Sequence, residues 1–305
     1  MLPGCLAFGR AVRTRLAKNG SIRGHGWTQP RESARVGLRF LSAGIVMNTV
    51  VNPKDVPSEF DARQLADQLA AAGRDGVFLE ASGLAVPDSI DEAIAVQMLL
   101  LDQARPLEIT WKIAMTQSGD GVRAPMFPLI DQAVSTMDWP YHSGQRLEVE
   151  IGLRLATALP VRPDAGYTRA DIAAAVGAVF LGIEVLEKRM SGTPDYLLRY
   201  ADRLDNGGYI IGPQLPSALL DTVGGMPLQV SAAGQIIFDA PAGHPKGDVL
   251  SWVLAFANNP HRPADSLQAG EFVTTGSLCG AVDLPAAGEV RCTLDGELRM
   301  QAMFR

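Results

Sequence analysis

The chain has 305 residues, of which 47% are hydrophobic and 20% charged, so it is long enough to bury a core as a globular protein. Its apolar runs, such as residues 93–101 and 172–181, are too short to cross a membrane. Its three cysteines form no CxxC pair and no even framework, which argues against structural zinc and disulfides and is typical of the cytoplasm, where we expect the protein to be located.

Charge is distributed unevenly along the chain. Residues 1–46 carry eight Lys and Arg against one acidic residue, a net charge of +7, so the total of −6 leaves −13 for residues 47–305. A body this acidic is not expected to bind nucleic acid. The basic segment has three interpretations: a transit-like leader, a basic binding arm, or translated sequence upstream of a start at Met47. We favour the third and expect residues 1–46 to be disordered, because Gly and Pro interrupt them.

The next part of the chain has helical periodicity. Apolar residues recur at turn spacing over residues 58–73. Ser89 and Glu92 have the spacing of a capping box, which predicts a helix from there to Ala104. The two helices predict a small helical N-terminal subdomain over residues 47–107.

Three further helices are predicted towards the C-terminus. A capping box that starts at Thr168 predicts a helix to about Ala178. Thr193 is followed by proline, a pattern that predicts a cap and then a helix over residues 194–204. Apolar residues at helical spacing predict the third helix over residues 245–257.

Short strands dominate the same part of the chain. They are predicted over residues 108–115, 146–155, 179–186, 209–211, 228–230, 235–238, 271–275, 289–294 and 298–304. Many short strands with a few helices between them indicate an α+β fold, in which a strongly curved sheet forms the domain over residues 108–305.

Two glutamates lie on one face of a predicted strand. Side chains alternate along a strand, so Val149 and Ile151 face one way while Glu148 and Glu150 face the other. Two carboxylates on one face repel each other unless solvent, a cation or a metal ion neutralises them. Solvent is the commoner explanation, so this pair alone is a weak indication of a metal site.

A third carboxylate strengthens the metal hypothesis. Glu184 lies in the run of residues 179–186, which is apolar enough to be buried on both faces. A carboxylate there has to be paired, protonated or bound to a metal, and pairing with Arg189 is the explanation without a metal. Three converging carboxylates would form an oxygen-only site suited to Mg²⁺ or Mn²⁺.

Lys112 is the candidate cation. It lies on the face of its strand opposite Trp111 and Ile113. It is either an edge-strand charge, the commoner case, or a partly buried ammonium group that stabilises an oxyanion or transfers a proton.

Further polar residues lie in turns and at strand ends. Asn206 belongs to an Asp-Asn-Gly-Gly turn that equally suits a helix C-terminus. His244 precedes a helix, and Thr275 and Ser277 end a strand where they would offer hydrogen-bond donors to an anion, although turn chemistry explains them equally well. The sequence has no Ser-His-Asp elbow, Walker loop or dinucleotide-binding fingerprint.

Taken in order, these segments resemble the fumarylacetoacetate hydrolase superfamily, and within it the branch of 2-hydroxypentadienoate hydratases and 4-oxalocrotonate decarboxylases. The similarity extends from about residue 62 to the C-terminus and leaves out the basic segment. The matching stretches are residues 111–113, 147–151, 182–185 with Arg189 after them, 205–207, 243–245, 267–271 and 275–278.

The resemblance implies a helical N-terminal portion on a β-rich domain with a rolled sheet, assembled as a homo-oligomer. It implies that Glu148, Glu150 and Glu184 bind Mg²⁺ or Mn²⁺ and that Lys112 is the catalytic lysine. Asp131 lies near the position of an acid of the branch and is expected to orient water. The residues expected to contact the substrate are Asn206, His244, Thr275 and Ser277.

The resemblance also implies an activity. Hydrolases of the superfamily carry an Asn-Asp-x-Ser-x-Arg-Asp signature and usually an aspartate as third ligand, whereas this chain has Glu184 and no such signature. We therefore expect a lyase, a hydratase that adds water to a 2-hydroxydienoate such as 2-hydroxypenta-2,4-dienoate in aromatic catabolism. The alternatives are a 4-oxalocrotonate-type decarboxylase, then a C–C hydrolase of an acylpyruvate, then a non-catalytic partner subunit of such an enzyme.

Overall fold

The computed structural model describes residues 60–116, 118–132, 138–162 and 164–305 of the chain. The basic segment 1–46 and the predicted helix start at residue 58 lie outside these residues. All described residues belong to one compact unit. Within them, no helix is long and apolar enough to cross a membrane.

Two capped helices begin the described chain. Helix α1 (Ala62–Asp75) begins after Asp61, whose carboxylate accepts two backbone N–H groups of the first turn. Helix α2 (Ile90–Ala104) begins after Ser89, whose hydroxyl accepts the N–H of Glu92. The capping box predicted there is only half formed, because the Glu92 carboxylate accepts the N–H of the residue before Ser89 instead.

The remaining elements are mostly short strands. The helices are α3 (Arg169–Ala175), α4 (Tyr196–Ala201), α5 (Leu219–Thr222) and α6 (Ser251–Ala257). The strands are β1 (Leu79–Glu80), β2 (Thr110–Met115), β3 (Gly121–Met126), β4 (Leu129–Asp131), β5 (Arg146–Leu155), β6 (Val176–Leu186), β7 (Met190–Ser191), β8 (Asn206–Leu215), β9 (Pro227–Ala232), β10 (Gln235–Pro241), β11 (Phe272–Ser277), β12 (Val282–Asp283), β13 (Gly288–Leu294) and β14 (Glu297–Phe304). The α+β class predicted from the sequence is confirmed.

The large sheet has the strand order β3-β2-β11-β5-β6-β8-β4, with β12 added beside β5. It is rolled: β3 contacts β8 although four strands separate them in this order. Residues from β3, β8 and β11 meet inside the roll, where they form a small buried cluster of Met126, Tyr209, Ile211 and Phe272. The strongly curved sheet predicted from the sequence is therefore present.

The outer face of the rolled sheet supplies the main core. Val149 and Ile151 of β5 and Ile183 of β6 are fully buried there. They share one hydrophobic cluster with a second sheet of order β10-β9-β13-β14 and with helices α3 and α6. Because strand side chains alternate, burying this face turns Glu148, Glu150 and Glu184 to the inside of the roll.

Helices α1 and α2 close one end of the roll. With α4 they share a hydrophobic cluster that includes Ala114 of β2 and Val122 and Ala124 of β3. Ala114 lies on the same strand face as Lys112, and Ala124 pairs with Lys112 across the sheet. The helical portion therefore packs directly beside the residues of the candidate site.

Several predicted boundaries were wrong. Helix α3 ends at Ala175, three residues early, because β6 already begins at Val176. Helix α4 begins after Asp195, whose carboxylate caps it, and not after Thr193. Helix α6 begins only at Ser251, since Gly247 before it has a φ of 78° that no α-helix accommodates.

Candidate metal centre

Strand register brings the three glutamates together. On the antiparallel strands β5 and β6, Glu148 lies directly opposite Glu184, and Glu150 lies opposite Gly182. One oxygen from each carboxylate lies within 4.8 Å of the others. Glu150 and Glu184 are completely buried and Glu148 is partly exposed, so the cluster is accessible from the Glu148 side.

Lys112 and Asn206 are the neighbours that hold these carboxylates. The Lys112 ammonium donates to Oε1 of Glu184 at 2.8 Å and to Oε2 of Glu148 at 3.4 Å. The Asn206 side-chain amide donates to the same Oε1 of Glu184 at 3.1 Å. Lys112 is buried, so the sequence alternative of an exposed edge-strand charge does not apply. Arg189 does not pair with Glu184 but forms an ion pair with Asp202.

Some carboxylate oxygens of the cluster have no hydrogen-bond partner within the described part of the chain. Among the described residues, both oxygens of Glu150 and Oε2 of Glu184 are buried without a hydrogen-bond partner. Unpaired buried carboxylates are costly, so this arrangement leaves a place for a cation. Three carboxylates give an all-oxygen donor set, which fits a hard divalent ion such as Mg²⁺ or Mn²⁺.

The electrostatics of the cluster have two opposing parts. Burial raises the pKa of Glu150 well above its ordinary value, and the charges of Glu184 and Glu148 raise it further. Burial acts to lower the pKa of Lys112, but the three carboxylates outweigh it, so its pKa is raised and Lys112 keeps its proton. Lys112 is therefore a donor and a positive charge in this structure, and not a free amine.

Two hydroxyl groups outside the predicted site residues lie beside the carboxylates. Tyr209 is opposite Glu184 in the sheet register, and Thr274 is close enough to Glu150 to lower its pKa. Both hydroxyls are buried and unpaired within the described part of the chain. The signal available in the sequence was Gly182, since only a glycine leaves room for the Tyr209 ring beneath the cluster.

The expected substrate residues do not all reach this site. Thr275 lies on the opposite strand face from Thr274, and its hydroxyl donates to the Ile151 carbonyl at 3.0 Å. His244 contacts the same region: its Nε2 donates to the Thr275 carbonyl at 2.8 Å, and its Nδ1 accepts the N–H of Lys246. Both side chains are thus engaged in holding the end of β11.

The other two predicted residues lie at different distances from the carboxylates. Ser277 pairs with Glu150 in the sheet register, so it is adjacent to the cluster, and its hydroxyl donates to the Gly280 carbonyl at 3.0 Å. Asp131 ends β4 and lines a cavity with Phe180, Gln214 and Arg299, which does not include the three glutamates. Asn206 therefore has the closest contact with the cluster among the predicted substrate residues.

Comparison with known proteins identifies the fold. No family model matches the sequence. The structure is similar to that of 4-oxalocrotonate decarboxylase from Pseudomonas putida G7, with a TM-score of 0.62 and 19% sequence identity over 80% of this chain and 97% of that chain. That enzyme was solved in complex with magnesium and adipate and, with the same similarity, with calcium and acetate. The fold implied by the sequence resemblance is therefore confirmed.

A more distant similarity extends to a hydrolase. Fumarylpyruvate hydrolase from Pseudomonas aeruginosa, solved with Mn²⁺ and pyruvate, matches 65% of this chain and 89% of its own at 11% identity and a TM-score of 0.41.

Proposed function

We propose that this protein is a divalent-metal enzyme that acts on a small 2-oxo acid, with Glu148, Glu150 and Glu184 as the ligands of Mg²⁺ or Mn²⁺. The observation that carries the proposal is the set of three carboxylates within 4.8 Å, of which two are fully buried with unpaired oxygens. One lysine and one amide do not neutralise three negative charges, and an unused cluster of this kind would cost stability.

The residues around the cluster fit this chemistry. A bound divalent ion supplies Lewis-acid polarisation of the substrate's carboxylate and 2-oxygen and fixes their orientation. Lys112 provides a buried ammonium whose positive charge stabilises an oxyanion that develops at the 2-oxygen. Asn206 orients Glu184 through its amide, and the closure of the roll by α1 and α2 restricts access of bulk water.

Within this class we propose hydration of a 2-hydroxydienoate. The dienol first becomes the 2-oxo enoate by moving its hydroxyl proton to carbon, and water then adds across the remaining C=C bond. The resemblance of the segments around Lys112, Glu148 and Glu184 to the hydratase branch supports this choice. Asp131 lines a cavity that the three glutamates do not line, so its role in orienting water stays a prediction.

Decarboxylation is the second candidate, because the similarity to 4-oxalocrotonate decarboxylase covers nearly all of that enzyme. The two reactions share an electron sink: the pair left by departing CO₂ would move to the same 2-oxygen that accepts charge during ketonisation.

A homo-oligomeric state and a cytoplasmic location stay predictions, and light scattering of the purified protein tests the first.

The decisive test is a metal-supplemented assay of the full chain. We expect ultraviolet loss of 2-hydroxypentadienoate in Mg²⁺ or Mn²⁺, with CO₂ release from oxalocrotonate measured in parallel. EDTA, Glu148→Ala and Glu184→Ala should each lower turnover about 1000-fold, since several kcal/mol of transition-state stabilisation is lost. The exposed Glu108 offers a control, and Glu108→Ala should keep full activity.

Two outcomes would contradict the proposal. Full activity in EDTA or in either ligand variant would exclude the metal assignment, provided circular dichroism shows that the variants are folded. Metal binding without turnover of either substrate would instead favour the non-catalytic alternative.

A further inference from the structure

Arg203 is a buried cation that forms no ion pair with any residue the structure describes. It is 7% exposed, its Nη1 donates to the Phe127 carbonyl at 2.9 Å, and its guanidinium lies 3.9 Å from the centre of the Phe127 ring. Its Nε is buried and unpaired, and no carboxylate of the described residues lies within 4.0 Å of it. Buried charges are normally paired, so Arg203 has the capacity to pair with an added anion.

The acidic residues nearest in sequence are already used by other arginines. Asp202 forms a buried ion pair with Arg189, and Asp205 accepts two hydrogen bonds from Arg199. Arg189 also donates to the backbone carbonyl of Asn206 at 2.7 Å. Arg203 is therefore the excess positive charge of this segment.

The backbone of the segment is strained. Arg203, Leu204 and Asp205 have φ values of 57°, 56° and 62°, three consecutive non-glycine residues in the left-handed region. Non-glycine residues rarely adopt this conformation, which persists where the surroundings require it, often at a binding site. The next residue is Asn206, which holds Glu184, so the strain lies beside the candidate metal centre.

Arg203 lines a cavity of about 410 Å³ that helix α1 borders on one side. Its lining includes three arginines, Arg74, Arg189 and Arg203, against one carboxylate, Glu187. The cavity also reaches Gly207, next to Asn206, and the charges of Glu187 and Glu184 both act on Arg203. This places the cavity close to the carboxylate cluster.

We propose that Arg203 binds a carboxylate of a small organic acid in this cavity. A guanidinium group matches a carboxylate with two parallel hydrogen bonds, and Nε of Arg203 has no partner among the described residues. Burial lowers the pKa of Arg203 to about 9, and a bound carboxylate would stabilise the charged form.

The carboxylate that binds Arg203 can belong to either of two kinds of molecule. It is either the far carboxylate of a diacid whose other end lies at the glutamate cluster, or that of a separate small acid. The first source rests on the proposed function and would make the substrate a diacid, whereas the second is independent of it.

Isothermal titration calorimetry of the full protein with adipate and hexanoate, in Mg²⁺ and in EDTA, tests the proposal. Arg203→Met should weaken adipate binding about tenfold or more, because a hydrogen-bonded ion pair is lost. Arg203→Lys keeps the positive charge but loses the paired N–H groups of the guanidinium, so it should weaken adipate binding by an intermediate amount. The half-exposed Arg291 in the second sheet is the control, and Arg291→Met should bind like the wild type.

The conditions separate the two sources. If adipate is preferred over hexanoate only with Mg²⁺, and Glu184→Ala abolishes that preference, the carboxylate is the far end of a metal-bound diacid. If both acids bind in EDTA and Arg203→Met abolishes this, a separate acid occupies the cavity. The proposal is overturned if folded Arg203→Met and Arg203→Lys bind both acids as the wild type does in both conditions. Absence of turnover with an intact Arg203 effect would count against the proposed function alone.

Discussion

Gly182 determines the packing beneath the carboxylate cluster. A Cβ atom built on it would lie 2.5 Å from Cζ and 2.6 Å from Cε1 of Tyr209, and closer still to the hydroxyl. Tyr209 is fully buried, so its ring has no free space into which it can move. The glycine therefore allows an aromatic ring to lie directly under the three glutamates.

We expect Gly182→Ala to lower the free energy of unfolding by about 1–3 kcal/mol, because the added methyl group overpacks this site. Urea denaturation measures the change. A methyl group added at Gly83 would have no atom within 4 Å, so Gly83→Ala is the matched control and should stay within about 0.5 kcal/mol of the wild type. Equal effects of the two substitutions would show that the Tyr209 contact is not limiting.

Individual site residues were predictable where one periodic rule applied to them. Alternation along β5 correctly assigned Glu148 and Glu150 to one face, and the apolar run around Glu184 correctly implied burial. Alternation places Thr274 and Thr275 on opposite faces but does not say which of them faces Glu150, because the pairing of β11 with β5 shifts after Thr274 and no strand pattern reveals such a shift. Tyr209 was missed because its position depends on the pairing of β8 with β6, a long-range contact.

At the level of elements, local sequence signals did not predict strands that form only through tertiary contacts. Strand β3 contains Gly121 and Pro125, which argue against a strand. It forms nevertheless because it ends the strand order, and an edge strand is the position in a sheet that tolerates proline. Strand β4 has three residues and becomes a strand only through its parallel pairing with β8.

Helix α4 provides a test of which residue begins a helix. Thr193 has the sequence pattern of a cap, but the Asp195 carboxylate accepts the Leu197 N–H at 2.8 Å. The start at Asp195 also stacks Tyr196 on Tyr200 one turn later, with ring centres 6.1 Å apart.

We therefore expect Asp195→Ala to lower the free energy of unfolding by about 1 kcal/mol, the usual cost of losing a cap. Thr193→Ala, at an exposed residue of the same loop, should change it by less than about 0.5 kcal/mol. Thermal or urea unfolding of both variants measures the difference. A larger loss for Thr193→Ala would mean that the sequence pattern had identified the cap correctly.

For the whole molecule, the carboxylate cluster links stability to pH and to metal. Burial raises the folded-state pKa of Glu150 and of Glu184, the latter against the opposing charge of Lys112. A carboxyl group with a raised folded pKa binds its proton more tightly in the folded state. Its contribution to stability is present below the unfolded pKa of about 4.3 and is lost as pH rises through the folded value.

In EDTA we therefore expect the free energy of unfolding to fall as pH rises above about 4.5, and to fall less in Glu150→Gln, which has no proton to lose. A divalent ion requires the deprotonated ligands, so saturating Mg²⁺ should remove the fall and stabilise the protein most at the higher pH. Above the dissociation constant, each tenfold rise in Mg²⁺ should add about 1.4 kcal/mol. Urea unfolding at several pH values, in EDTA and in Mg²⁺, measures both effects.

Glu108→Gln removes one exposed carboxylate from the same chain and should keep the wild-type dependence on pH and on Mg²⁺. If Glu150→Gln also kept it, or if Mg²⁺ did not alter the stability at any pH, the buried carboxylates would not be the groups that respond. A response confined to the cluster would instead mean that the fold keeps three glutamates together at a cost in stability that the metal offsets.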